Sequence, residues 1–414
     1  MVDLRMILTL NRRIITKLPH TRYEEIIAPL TRYEPTSMIS GLPVIWKKAS
    51  GHSVWDIFGN KYIDFTSTIF VTNAGHGAVA KAIQRQAKDL IHSYTFPNLP
   101  RINLIKELRD WFGLMPNPKI YLASAGSEVT DWAIKLMRHH GKKRNKDIII
   151  SFEGSFHGKV GDAAKLSDQE LRLPLPESDE DWVKHKKQIE KVVKRCCGIM
   201  IESYQGWNAK FFPLEYMQNL LKFCKKYGIL ICFDEIQGGF YRTGMRFAFY
   251  HYLDFVQSVP FFCPDLICAG KALGGGFPIS ALVAREDLFK GIEGMSSTHS
   301  ATPLACAAAL ESLKILNNLT GLDEKIDFMK EFLVKLSTKT FGNMTFNGNG
   351  FLWGLIFKNK KIADAVCYEC MRNGLLVVRT GRESVKIGPP LTISKGALKE
   401  GLCVLEKAIN KIIN

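Results

Sequence analysis

From about residue 70 to about residue 310, short apolar runs alternate with amphipathic stretches along the chain. Lys119-Ile120-Tyr121-Leu122-Ala123 reads as a strand, followed by a turn and a helix through Arg138. Asp147 to Phe152, Gly198 to Glu202 and Ile229 to Asp234 read as three further strands. This strand–helix rhythm, free of repeats and low-complexity linkers, implies a parallel sheet with helices on both faces. The run Ile229 to Phe233 ahead of Asp234 marks a strand buried on both sides, and α/β proteins place ligands at the carboxyl ends of such strands.

The two ends of the chain carry a different pattern. Val54 to Phe65 reads as two short strands around a Gly59-Asn60 turn. From about residue 311 onward, long helical patterns alternate with short strands such as Gly350 to Leu355. The expected fold class is therefore α/β. A large domain over 71–310 holds a mostly parallel sheet flanked by helices, and segments 1–70 and 311–414 combine into a smaller α+β domain.

Composition narrows the partners more than the fold. Hydrophobic residues make up 46% and charged residues 23% of the 414, ordinary values for a soluble protein. No apolar stretch approaches the ~20 residues that span a bilayer. Met6 to Leu10 is too short for a secretory core and is followed by Arg12 and Arg13, so a cytoplasmic location is expected. The net charge of +16 raises the question of a nucleic-acid or membrane partner. Its lysines and arginines, however, fall in separated patches: Lys142 to Arg144, Lys184 to Lys187, and Lys358 to Lys361. Without aromatic interleaving or zinc-finger spacing these read as solvated faces, and neither nucleic acid nor membrane is expected as a partner. The cysteines lie mostly in apolar surroundings. Cys367-x-x-Cys370 supplies only two of the four ligands of a structural zinc, so no metal site is expected.

The candidate chemistry is concentrated in two places. Asp234-Glu235-Ile236-Gln237 ends the apolar strand, and Lys271 sits in Ala269-Gly270-Lys271-Ala272-Leu273-Gly274-Gly275-Gly276. A lysine between small residues can lie against a flat cofactor. Its amine would form a Schiff base and Asp234 would pair with a pyridinium nitrogen, the working parts of a pyridoxal phosphate enzyme. A P-loop ATPase is excluded, because Gly154 to Lys159 is one residue short of the phosphate motif and is followed by Val160. Ser124-Ala125-Gly126-Ser127-Glu128 opens a helix that either holds a phosphate or is simply capped. Phe156, ahead of His157 and Gly158, offers a face to a flat ring or packs in the core. Gln237 is spaced to reach a ring hydroxyl, and Lys271 can move the proton at the substrate carbon.

In combination these motifs resemble the class III (omega) pyridoxal phosphate aminotransferases of fold type I, over almost the whole chain. The resemblance is carried by Val54 to Phe65, Asn73-Ala74-Gly75-His76-Gly77, Ser124 to Glu128, Phe156-His157-Gly158, and Phe233 to Gly244 with its Tyr241-Arg242-Thr243-Gly244 ending. It continues through Lys271, Thr298 and Pro389-Pro390-Leu391. It implies a ping-pong aminotransferase moving an amino group from a primary amine donor to a carbonyl acceptor through a Lys271 Schiff base. It implies a homodimer with shared active sites, Asp234 at the pyridine nitrogen, Gln237 near the 3-hydroxyl and Phe156 stacked on the ring. Gly126 and Ser127 would bind the phosphate, with Thr298 reaching it from the other subunit. The alternatives are an aminomutase, racemase or decarboxylase on the same fold, or a non-catalytic basic scaffold.

Two departures from the family bear on substrate. Members specific for amino acids usually carry an arginine three residues before Pro-Pro. This chain has Lys386, a point charge in place of a planar fork. Ornithine- and aminobutyrate-type members usually carry a glutamate after Gln-Gly. Here Trp207 stands there, an indole that either lines an apolar or sugar-stacking wall or merely packs. The expected donor is a terminal amine, a diamine or an amino sugar, with glutamate as co-substrate. Asp234 and Lys271 are 37 positions apart, longer than the family's habit, with the extra residues expected around Leu253 to Phe262, including Phe255, Phe261 and Phe262.

Overall fold

The computed structural model describes residues 6–39, 41–67, 74–166, 171–253 and 263–413. The expectations for Asn73 and for Phe255, Phe261 and Phe262 lie outside these residues. The chain divides into two compact units, Ala78–Asn318 and a second made of Met1–Gly77 with Leu319–Asn414.

Among the described residues, Ala78–Asn318 contains a seven-stranded sheet. Its order is Pro118–Ala123, Ser280–Arg285, Leu266–Ala269, Leu230–Asp234, Cys196–Glu202, Ile148–Phe152 and Leu171–Leu173. Pairing is parallel from Leu266–Ala269 to Leu171–Leu173. Ser280–Arg285 runs antiparallel to both of its neighbours. Pro118–Ala123 therefore points the same way as the Asp234 strand, and the carboxyl ends of both lie on one edge. The sheet is the mostly parallel, helix-flanked sheet of the fold class expected. Every residue of Leu230–Asp234 and of Cys196–Glu202 is buried, which explains why both read as continuous apolar runs and not as alternation.

The helix Gly126–Lys142 follows the first of these strands and buries Val129, Ala133, Ile134, Leu136 and Met137. Each large apolar side chain so buried contributes about 1.5–3 kcal/mol. The approach is close enough to require glycine. A Cβ on Gly198 would fall 2.3 Å from Met137 Sδ, and one on Gly141 would fall 2.5 Å from Cys197 Cβ. The helix is thereby seated with its N-terminus at the same sheet edge as Asp234.

In the other unit, Leu375–Leu376 pairs in parallel with Ile63 and Asp64, and Thr66 bridges to Gly388, joining the chain's two ends. The hairpin of Ser53–Asp56 and Lys61–Asp64 is held by buried Asp56, which accepts the backbone N–H of Phe58 and of Asn60, both at 2.9 Å. Lys386 lies in Ser384–Ile387, half-buried and paired with Gly354 and Val378. Among the described residues no helix is long and apolar enough to cross a membrane. No group of three His, Cys, Asp or Glu side chains among them is placed to hold a metal ion.

Candidate active site

Asp234 emerges at the carboxyl end of the central strand, buried, with both oxygens engaged. Ile236 N–H donates to Oδ1 at 3.1 Å, and His157 Nδ1 lies 2.8 Å from Oδ2. With an ionised carboxylate as acceptor, Nδ1 carries the ring proton. His157 is itself buried, and its Nε2 has no hydrogen-bond partner among the described residues.

On the neighbouring strand, Glu202 is the residue in register with Asp234. Its Oε1 accepts Phe156 N–H at 2.8 Å and its Oε2 accepts Gly206 N–H at 3.0 Å. Burial pushes the Glu202 carboxyl pKa up and Asp234 adds to this, against the opposing pull of His157 and the two amides.

Lys271 opens a short turn, Lys271–Gly274, one residue after Leu266–Ala269. Its φ of +34° is left-handed, costing a non-glycine residue of order 1–3 kcal/mol. Strain of that kind persists where the surroundings over-determine the backbone. Here Ser312 Oγ donates to the carbonyl of Ala272 at 2.9 Å. Burial pushes the Lys271 amine pKa down, opposed by the attraction of Asp234 and Glu202.

One side chain shows how closely these pieces meet. A Cβ on Gly126 would fall 2.9 Å from Ile236 Cδ1, and one on Gly270 would fall 3.5 Å from Ile236 Cγ1. The helix start and the lysine turn thus both lie against Ile236, the residue two beyond Asp234. At the helix start, Glu128 accepts the N–H groups of Ser124 at 2.8 Å and Ala125 at 2.7 Å. Ala125 has no side-chain acceptor for the first-turn amides, whose dipoles favour an anion. Ser127 Oγ accepts Lys159 N–H at 3.3 Å, and a Cβ on Gly158, at φ +138°, would fall 2.8 Å from that Oγ. The Phe156 loop is therefore pressed onto the helix start.

Phe156 is 55% exposed, which removes the core-packing reading and leaves its ring available to a ligand. Gln237 lies against the other loop, its Cγ 2.8 Å from where a Cβ on Gly206 would stand. Trp207, the next residue, is half-buried. Thr298 is exposed, with its carbonyl 2.8 Å from His92 Nε2, and the carbonyl of His299 accepts Ser124 Oγ at 3.1 Å. Lys386 belongs to the other unit.

Sequence reasoning missed three groups. Glu202 ends a buried apolar run just as Asp234 does, a signal that was there to be read. His157 carries no local signal of its own in the Phe156-His157-Gly158 run, because its partner lies 77 residues away. Glu235 is fully buried and clamps the following loop, accepting Ala248 N–H at 2.8 Å and Phe249 N–H at 2.9 Å. Burial pushes its pKa up to about 7.

Known proteins share this arrangement of sequence. The family model for aminotransferase class-III matches residues 37–409. The chain belongs to the class III aminotransferases. It is 31% identical to the mitochondrial acetylornithine aminotransferase of Candida glabrata, over 87% of this chain and 89% of that protein. It is 30% identical to the acetylornithine/succinyldiaminopimelate aminotransferase of Yersinia pestis, over 94% and 97%. The ornithine aminotransferase of Plasmodium yoelii superposes with a TM-score of 0.78 at 26% identity, over 94% of this chain and 99% of that one. The protein is a pyridoxal phosphate-dependent transaminase of fold type I. Its donor set suits that cofactor: a half-buried lysine on strained backbone, a buried tethered carboxylate and a glycine-led helix N-terminus on one sheet edge.

Proposed function

We propose that Lys271 is the residue that carries the cofactor and moves the proton at the substrate carbon. Burial favours its neutral amine, the form that attacks a carbonyl. Asp234 pairs with the pyridine nitrogen, and His157 and the Ile236 amide hold the carboxylate in place. Phe156 covers one face of the ring, Gln237 meets the 3-hydroxyl, and Gly126 and Ser127 receive the phosphate at the helix start. When bound, pyridoxal phosphate supplies the carbonyl that takes up the amino group and a ring that accepts the electron pair released at the substrate carbon. The observation that carries this reading is the convergence of Gly126 and Gly270 on Ile236, beside Asp234.

The functional form in this reading is a homodimer, with Thr298 of the partner subunit completing each phosphate site. Supporting it, Leu90, Ile91, Tyr94, Phe96, Leu99 and Ile102 are all exposed in one segment, and His92 in that segment contacts Thr298. Contiguous exposed apolar surface of this kind marks an interaction face. The cysteines are free and mostly buried, which suits a reducing cytoplasm. Neither nucleic acid nor membrane has a role in this account.

The donor is a terminal primary amine on an aliphatic chain, with glutamate as the carboxylate-bearing partner. Trp207 gives the site an apolar wall where ornithine-type members carry an acid, and Lys386 gives a carboxylate a point contact in place of a fork. The relatives' names, those of N-acylated diamino acids, point the same way. The test is glutamate production from 2-oxoglutarate with N-acetylornithine, ornithine, a simple diamine, an amino sugar and alanine as donors. Turnover with terminal amines and little with alanine is expected; preference for alanine would contradict the reading.

A further inference from the structure

We infer that Glu202 is a positioning residue that sets the three cofactor-contacting segments against one another. Its two oxygens hold the amide of Phe156 at 2.8 Å and that of Gly206 at 3.0 Å, while its backbone is in register with Asp234. Two hydrogen bonds to one carboxylate keep those amides within about 8 Å of each other. Gly206 in turn lies against Gln237, since a Cβ there would come 2.8 Å from Gln237 Cγ. One buried carboxylate therefore references the ring-stacking residue, the residue at the 3-hydroxyl and the residue at the pyridine nitrogen. The inference rests on the cofactor roles proposed above for Phe156, Gln237 and Asp234.

The chemistry demands an acid at this position. Both oxygens of a carboxylate accept, so both N–H groups are satisfied. Glutamine keeps one accepting oxygen and turns an NH2 toward the other N–H, so one loop loses its tether at nearly constant volume. Aspartate, one methylene shorter, draws both oxygens back from the two amides.

The test is the dissociation constant for pyridoxal phosphate, read from its visible band, in wild type, Glu202→Gln, Phe156→Ala and the double variant. Circular dichroism and the melting midpoint of each cofactor-free protein are recorded alongside. Glu202→Gln should bind the cofactor about ten-fold more weakly with a cofactor-free midpoint near that of wild type. In the double variant the two effects should fall short of multiplying, because Glu202 acts partly through Phe156. Binding within about two-fold of wild type, or fully multiplicative effects, would overturn the inference. Should Glu202→Gln fail to fold, Gly206→Ala strains the same tether from its other end. Its Cβ would stand 3.2 Å from Glu202 Oε2 and 2.8 Å from Gln237 Cγ, so both ends of the proposed link are strained, and unchanged cofactor affinity in that variant would overturn the inference as well. A wild-type protein that binds no pyridoxal phosphate would instead overturn the roles of Phe156, Gln237 and Asp234, and this proposal with them.

Discussion

The floor and the rim of the candidate site are built on opposite principles. On the floor, Asp234 has both oxygens engaged, Glu202 holds two amides, and Lys271 is aimed by backbone that a lysine rarely adopts. On the rim, Phe156 is 55% exposed, Thr298 is exposed, and the segment from Leu90 to Ile102 displays six large apolar side chains. The buried oxygens of Asp234 and Glu202 are satisfied within the fold, so the floor is fixed as the chain folds. Exposed apolar and aromatic groups gain their energy from something that arrives later: cofactor, substrate or a second copy. The difference separates what sets the reaction from what selects its participants.

Changes on the floor should therefore be the most damaging. Lys271→Ala should abolish measurable transamination, a loss of more than about 10³-fold, without a large change in melting midpoint. Asp234→Asn keeps the shape but removes the charge, and should lower kcat by roughly 10²-fold, about 3 kcal/mol of barrier. Activity within a few-fold of wild type would remove Asp234 from the mechanism. On the rim, if the proposed homodimer forms through this segment, Phe96→Asp together with Leu99→Asp should leave the protein monomeric by sedimentation and lower activity in parallel. A dimer that persists would send the interface elsewhere.

Beneath the floor, Glu235 makes a pH prediction with a definite sign. Its folded-state pKa, about 7, lies above that of an unfolded glutamate, so the native state holds the proton more tightly between about pH 4.5 and 7. Stability from this group should fall as pH rises through that window, by at most about 3 kcal/mol. Urea midpoints measured across it should lose this slope in Glu235→Gln. An identical slope in the variant would show that Glu235 titrates normally. The smallest effect belongs to Lys386→Met, which should raise KM for a carboxylate-bearing substrate by about ten-fold or less while sparing kcat. An unchanged KM would remove Lys386 from carboxylate binding.

Much of the floor was legible in the sequence, because it is written locally. An apolar run ending in Asp234, and a lysine set among small residues, carry their meaning within a few positions. The strands at Lys119, Asp147, Gly198 and Ile229 were read for the same reason, and appear as Pro118–Ala123, Ile148–Phe152, Cys196–Glu202 and Leu230–Asp234. Ser280–Arg285 was not read. Its place in the sheet, antiparallel between two strands that run the other way, is set by pairing partners that lie far off in sequence. The contact of His157 with Asp234 and the reach of Glu202 to Phe156 are equally non-local. No spacing rule within one segment could supply them. Phe156 shows the limit from the other side, since a phenylalanine in a loop reads as core until its exposure is known.

The most direct test of the central claim is the visible absorption spectrum of the purified protein with pyridoxal phosphate, taken before and after adding amines. A cofactor band that is absent in Lys271→Ala and bleached by donors bearing a terminal amine is expected. A band that survives in Lys271→Ala, or none in the wild-type protein, would contradict it.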